Sequence, residues 1–187
     1  MEYREYWNQI YEKSDEFNSL IASYWHDYSH IGTWQFWFVA FLFIAPLVLL
    51  YFIVDRSRIF EIFFFGYTVH ILWIYADLVL ERYGYFVHTY FLSPYYPFAS
   101  NITASLLPVG YLLVYQYCTN RNKNFFLYAL LFAIVITYIT APLEEMLGLL
   151  EVRKGMKKFY IVLIGMGAAS IAYLFTRFII RFSKKSS

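Results

Sequence analysis

Apolar residues in this chain come in long runs rather than in alternation. From Gly32 to Val54 no charged residue interrupts 23 positions. A helix rises about 1.5 Å per residue and the hydrocarbon core of a bilayer is about 30 Å thick, so about 20 mostly apolar residues span it. Four further runs meet or approach that length. Ile59–Leu80 contains Glu61, His70 and Asp77, and Ile102–Cys118 is the shortest at 17 residues. Phe125–Leu147 is free of charge for 19 residues before Glu144 and Glu145. Phe159–Phe178 carries Arg177 in its last turn, with Arg181, Lys184 and Lys185 beyond it. Pro46 predicts a kink in the first run, Pro108 lies in the third, and Asp55-Arg56-Ser57-Arg58 reads as a charged turn. A transmembrane β-strand would alternate over about 10 residues, whereas every position from Phe36 to Ala45 is apolar. The expected fold is all-α: a polytopic membrane bundle of five transmembrane helices over residues 32–181, with a basic tail at 182–187.

Residues 1–31 follow a different pattern. Tyr3, Trp7, Ile10, Phe17, Ile21, Tyr24 and Tyr28 recur at helical spacing apart from one gap at Ser14, among acidic residues such as Glu5, Glu12 and Asp15. This predicts an N-terminal amphipathic helix, at the headgroup level or packed on the bundle, and not a signal peptide, which would begin basic and turn apolar early. Glu81–Asn101 reads as a long loop, because Pro94 and Pro97 disfavour a continuous helix. Its many aromatics, Tyr83, Tyr85, Phe86, Tyr90 and Phe91 among them, suit a half-buried cap at the membrane–water boundary. Asn101-Ile102-Thr103 matches a glycosylation acceptor at a helix start. No fixed-period repeat is visible.

Composition supports the membrane reading. Of 187 residues, 60% are apolar, 24% aromatic and only 15% charged, and the mean hydropathy is +0.47. A soluble domain carries about 25% charged residues. One cysteine, Cys118, excludes a disulfide-rich module, and a net charge of +2 gives no footprint for nucleic acid. The basic residues divide almost evenly between the two sides, so the positive-inside rule assigns no orientation. The acidic N-terminal segment and the basic tail favour N-terminus outside. The expected location is the cell membrane, multi-pass. Membrane lipids are the expected partners, with a partner membrane protein or a homo-oligomer as further candidates.

Ionisable groups inside a bilayer are functional candidates by default, since an unpaired one costs several kcal/mol. In the second run His70 and Asp77 are seven residues apart and nearly eclipsed, with Glu81 one turn on. Together with Gly66 and Trp73 they form a stripe expected to face the interior, while Glu61 lies on the opposite side. In the fourth run Thr137, Thr140, Glu144 and Glu145 surround Pro142. Adjacent glutamates point about 100° apart, so one alone is central, and Glu144 shares a face with the two threonines. If these two helices meet, His70, Asp77, Glu81, Glu144 and His88 converge. Asp77, Glu81, Glu144 and Glu145 are then the catalytic candidates, and His70, Trp73, Asp77 and Glu144 the ligand-binding ones. The spacing matches no recognised metal motif, so no metal or cofactor is expected. Proton-coupled solute movement, acid catalysis on a lipid or isoprenoid, and a purely structural network that fixes helix register all remain open. In the fifth run Gly165, Ala169, Ala172 and Thr176 make a small-residue face suited to close packing inside the chain.

Two resemblances add to this. Pro142-Leu143-Glu144-Glu145 is similar to the proline–acidic pair of membrane-embedded lycopene cyclases, over those four residues alone. Five phrases recur in order along the chain: Val54-Asp55-Arg56-Ser57-Arg58, Phe65-Gly66-Tyr67-Thr68-Val69-His70, Leu107-Pro108-Val109, Tyr115-Gln116-Tyr117 and Ala141-Pro142-Leu143. Together they resemble a family of small multi-span membrane proteins from endospore-forming Firmicutes. That resemblance implies a bacterial inner-membrane protein and carries over no catalytic residue. The leading expectation is a non-catalytic accessory, sensor or assembly component with a buried polar network. The alternative is a membrane-embedded enzyme or transporter acting on a lipid, isoprenoid or small cationic molecule.

Overall fold

The computed structural model describes residues 2–95 and 98–183. Tyr96 and Pro97 of the expected cap and residues 184–187 of the tail lie outside the described residues. Helix α1 (Tyr3–Tyr28) is followed by α2 (Trp34–Ile53), α3 (Ile59–Arg82), strand β1 (Phe86–His88), α4 (Leu107–Asn120), α5 (Phe125–Val135), α6 (Ala141–Met146), strand β2 (Leu150–Val152) and α7 (Lys158–Ser183).

Local chemistry sets the boundaries. The Thr33 hydroxyl caps α2 by accepting from Phe36 N at 3.3 Å, and the Asn124 side chain caps α5 by accepting from Leu127 N at 3.2 Å. Asp55 starts the turn into α3 by accepting from Ser57 N at 3.0 Å. Hydrogen bonds from Ser57 and Asn120 hold its carboxyl below the usual carboxylate range. Gln116 of α4 stitches to this turn, accepting from Asp55 N at 2.8 Å and donating to Ile53 O at 3.0 Å. Arg58 adds bonds to Thr119, Asn120 and Glu61, and the Tyr115 hydroxyl donates to Glu61 at 2.5 Å. Glu61 is thus structural, at the opposite end of α3 from Asp77.

Among the described residues, four helices are long and apolar enough to cross a membrane: α2, residues 56–82, residues 125–146, and α7 up to Phe182. The expected third span is helical but is not among them. Thr103, Ser105 and Gln116 dilute its apolarity, and it needs less because its neighbours cover it. Leu107, Val109, Tyr111, Leu112, Tyr115 and Cys118 are all buried. On this helix Phe65 of α3 stacks against Tyr115 with ring centroids 4.4 Å apart. The small-residue face of α7 packs inward against α3 and α5, with Ala169, Ala172 and Thr176 buried.

The segment expected to be an uninterrupted loop contains β1, which pairs antiparallel with β2 so that His88 lies opposite Leu150. Phe-Val-His and Leu-Glu-Val carry aromatic and β-branched residues that favour an extended chain. This two-stranded ribbon covers the end of the bundle where α3 and α6 finish. Helix α1 has no buried residue. Only its final turn and the residue beyond are fastened, by Tyr24 donating to Thr89 O at 2.9 Å, Trp25 to Phe91 O at 3.1 Å and Ser29 to Phe91 O at 2.9 Å. The remainder of α1 stands across a groove from the end of α3, with Ile10 and Phe17 on one wall and Tyr75 and Val79 on the other. The glycosylation acceptor is not on the surface: Asn101 and Thr103 are both buried.

Candidate functional site

Two helices in this bundle change winding at the same depth. Ile102–Leu106 and Ile136–Thr140 each form a π-helical turn, and each is followed one residue later by a proline, Pro108 and Pro142. The wide turn closes with Leu107 N bonded to Ile102 O and Ala141 N to Ile136 O. One register step on, Pro108 and Pro142 have no N–H to give, so neither supplies a backbone donor to the carbonyl of Thr103 or Thr137. Such turns are frequent at functional sites because they re-aim side chains and release backbone groups.

Both bulged turns line one small cavity. Thr103 and Thr137 border it, with Tyr111 of α4, Trp73 and Asp77 of α3, and Glu144 of α6. Phe86 and His88 close it, since residues two apart on a strand share a face. The void measures about 40 Å³. Asp77 is 2% exposed, His88 6% and Glu144 7%. Asp77 and Glu144, from two separate helices, therefore border the same interior space.

The cluster is not internally satisfied. His88 Nε2 lies 3.9 Å from Asp77 Oδ1, beyond hydrogen-bond reach. Asp77 Oδ2, both Glu81 carboxylate oxygens, His88 Nε2, Trp73 Nε1 and Tyr111 OH are buried without a hydrogen-bond partner among the described residues. Asp77, Glu81 and His88 can each bring one donor atom within 4.8 Å of the others. Burial alone pushes the His88 imidazole down to about 4, so it is neutral near neutral pH.

Of the sequence-derived residues, Trp73, Asp77 and Glu144 line the cavity, and Glu81 joins through Asp77 and His88. Glu145 does not: one position on, it turns away and pairs with Lys158 at 2.7 Å. Nor does His70. Seven residues separate it from Asp77, about 10 Å along the axis, and it lines a different groove beside Gly66, Tyr67 and Pro108. There its Nδ1 donates to Thr103 O at 2.8 Å, the carbonyl that Pro108 leaves without a donor. Sequence reasoning missed Thr103, Tyr111 and the paired bulges. The signal was a two-copy heptapeptide, Ile102-Thr103…Pro108 and Ile136-Thr137…Pro142, whose shared pattern is Ile-Thr, four residues, then Pro.

Much of the outer surface of these helices is apolar. Phe41 and Tyr51 of α2, Phe60 and Tyr67 of α3, Ile139 between α5 and α6, and Leu174 of α7 are all exposed. Long apolar helices with large side chains turned outward are, by length and composition, compatible with an integral membrane protein. No protein family, curated protein or solved structure matches the chain.

Proposed function

We propose that this is a multi-pass cell-membrane protein whose acidic pocket binds a small cation. In this reading the central helix around α4 is a fifth crossing, sheltered by the other four, and α1 is an amphipathic helix at the membrane surface. The resemblance to membrane proteins of endospore-forming Firmicutes supports a bacterial inner membrane as its location. One observation carries the ligand assignment: Asp77, His88 and Glu144 face a single small cavity, and Asp77 and His88 each bring to it a polar atom without a partner among the described residues.

Magnitudes select the ligand. A buried carboxylate without a partner is destabilising by several kcal/mol, and a bound cation offsets that. A void of about 40 Å³ has room for a small ion and a water or two, at about 10–15 Å³ for each water-sized probe. A small ion fits that volume better than a lipid tail or an isoprenoid does, which favours the cation reading over acid catalysis. Helices α3 and α6 both end close to the pocket, and the partial negative charge of helix C-termini adds to its attraction for cations.

Thermal unfolding of the full chain in detergent, titrated with monovalent and divalent chlorides, tests this. Saturating cation should raise stability by about 2.7 kcal/mol at a hundredfold excess over Kd, and the rise should vanish in Asp77→Asn/Glu144→Gln. A cation-independent protein that the double substitution stabilises would instead mark the cluster as a register-fixing network.

A further inference from the structure

We infer that Asp77, Glu81 and His88 are the ligands of a divalent ion of the first transition row; this rests on the cation-binding reading above and names the ion's class. Three observations carry it. First, the donor atoms all lie within 4.8 Å of one another. Ligands about 2.1 Å from a shared ion sit about 3–4 Å apart, and the 3.9 Å between His88 Nε2 and Asp77 Oδ1 already falls in that range. Second, the donor atoms of Asp77 and His88 are uncommitted among the described residues. Asp77, at 2% exposed, and His88, at 6%, both border the cavity, each with an unpartnered polar atom. Third, the donor set is mixed. Magnesium and calcium take oxygen ligands throughout, and copper(I) prefers sulfur, whereas two carboxylates with an imidazole suit manganese, iron or zinc.

The surroundings are those a metal centre needs. Glu144, across the same void, can accept a hydrogen bond from water bound to the ion, and Tyr111 OH and Trp73 Nε1 are donors there without other partners. Glu81 is half-buried and also borders the groove between α1 and α3, although both its carboxylate oxygens are buried.

The full chain, purified in detergent without a histidine tag and stripped with chelator, is loaded with Zn²⁺ alone and desalted before elemental analysis. Wild type should retain about one ion per chain, Glu145→Gln, outside the cavity, should retain it too, and Asp77→Asn and His88→Gln should each bind at least about tenfold more weakly. Because either variant could unfold, a second measurement uses wild type only. Pulsed electron paramagnetic resonance of the Cu²⁺-loaded chain should show the remote nitrogen of one imidazole. No stoichiometric Zn²⁺, or a copper spectrum without imidazole nitrogen, overturns the site. If Na⁺ stabilises wild type through Asp77 and Glu144 while Zn²⁺ is not retained, the metal assignment fails and the cation reading stands. If neither ion has an effect, both fail.

Discussion

Pro108 removes one backbone donor, and His70 replaces it. A ring nitrogen facing a carbonyl has to carry the proton, so the bond to Thr103 O fixes the tautomer of His70 and leaves Nε2 as the acceptor. Its partner residue is 1% exposed, so water is a poor substitute. Replacing His70 by Ala should cost about 1–3 kcal/mol, the usual range for a stranded buried carbonyl. Denaturation in detergent measures this, and the cation-dependent stabilisation should be unchanged because His70 lies outside the pocket. At this scale the sequence was partly readable. Rotation per residue separated Glu144 from Glu145 correctly, since it depends only on helix geometry. The same argument misplaced His70, because alignment around a helix axis says nothing about depth along it.

Among the elements, the pairing of α4 with α5 is closest at Gly110. A β-carbon there would come within 2.1 Å of the Phe132 ring, which itself packs edge-on to Tyr111 with centroids 4.8 Å apart. Gly110→Ala should therefore destabilise by about 1–3 kcal/mol of overpacking, against a gain of about 0.5–1 kcal/mol from helix propensity. A double-mutant cycle with Phe132→Leu should recover part of the loss, and strictly additive effects would contradict the contact. The long apolar runs of α2, α3 and α7 were legible because length and hydropathy identify them without tertiary context. Strands β1 and β2 were not, since three residues each is shorter than the runs of four to eight from which alternation can be read. The helix through α4 was legible as the shortest run, and its buried residues are covered by neighbouring helices.

For the whole molecule, the outward apolar surface decides where the chain can exist. Phe41, near the middle of α2, is 63% exposed. On the membrane reading its side chain meets hydrocarbon. An arginine there should disfavour insertion by about 2.5–3.5 kcal/mol, measured as the membrane-integrated fraction after in vitro synthesis. The equivalent change at Tyr6, on exposed α1, should leave integration unaffected.

The two ends of the bundle are built with unequal stiffness. Side chains from α3 and α4 tie one end together, while the other is roofed by a ribbon of two three-residue strands. Phe91, three positions beyond His88, both donates its N–H to the Ser29 hydroxyl and accepts from it, each at 2.9 Å. The end of the first helix and the segment that follows His88 are thus fastened to each other at two points. The ribbon that covers the carboxylates is thereby held from outside the bundle as well as by its own strand pairing.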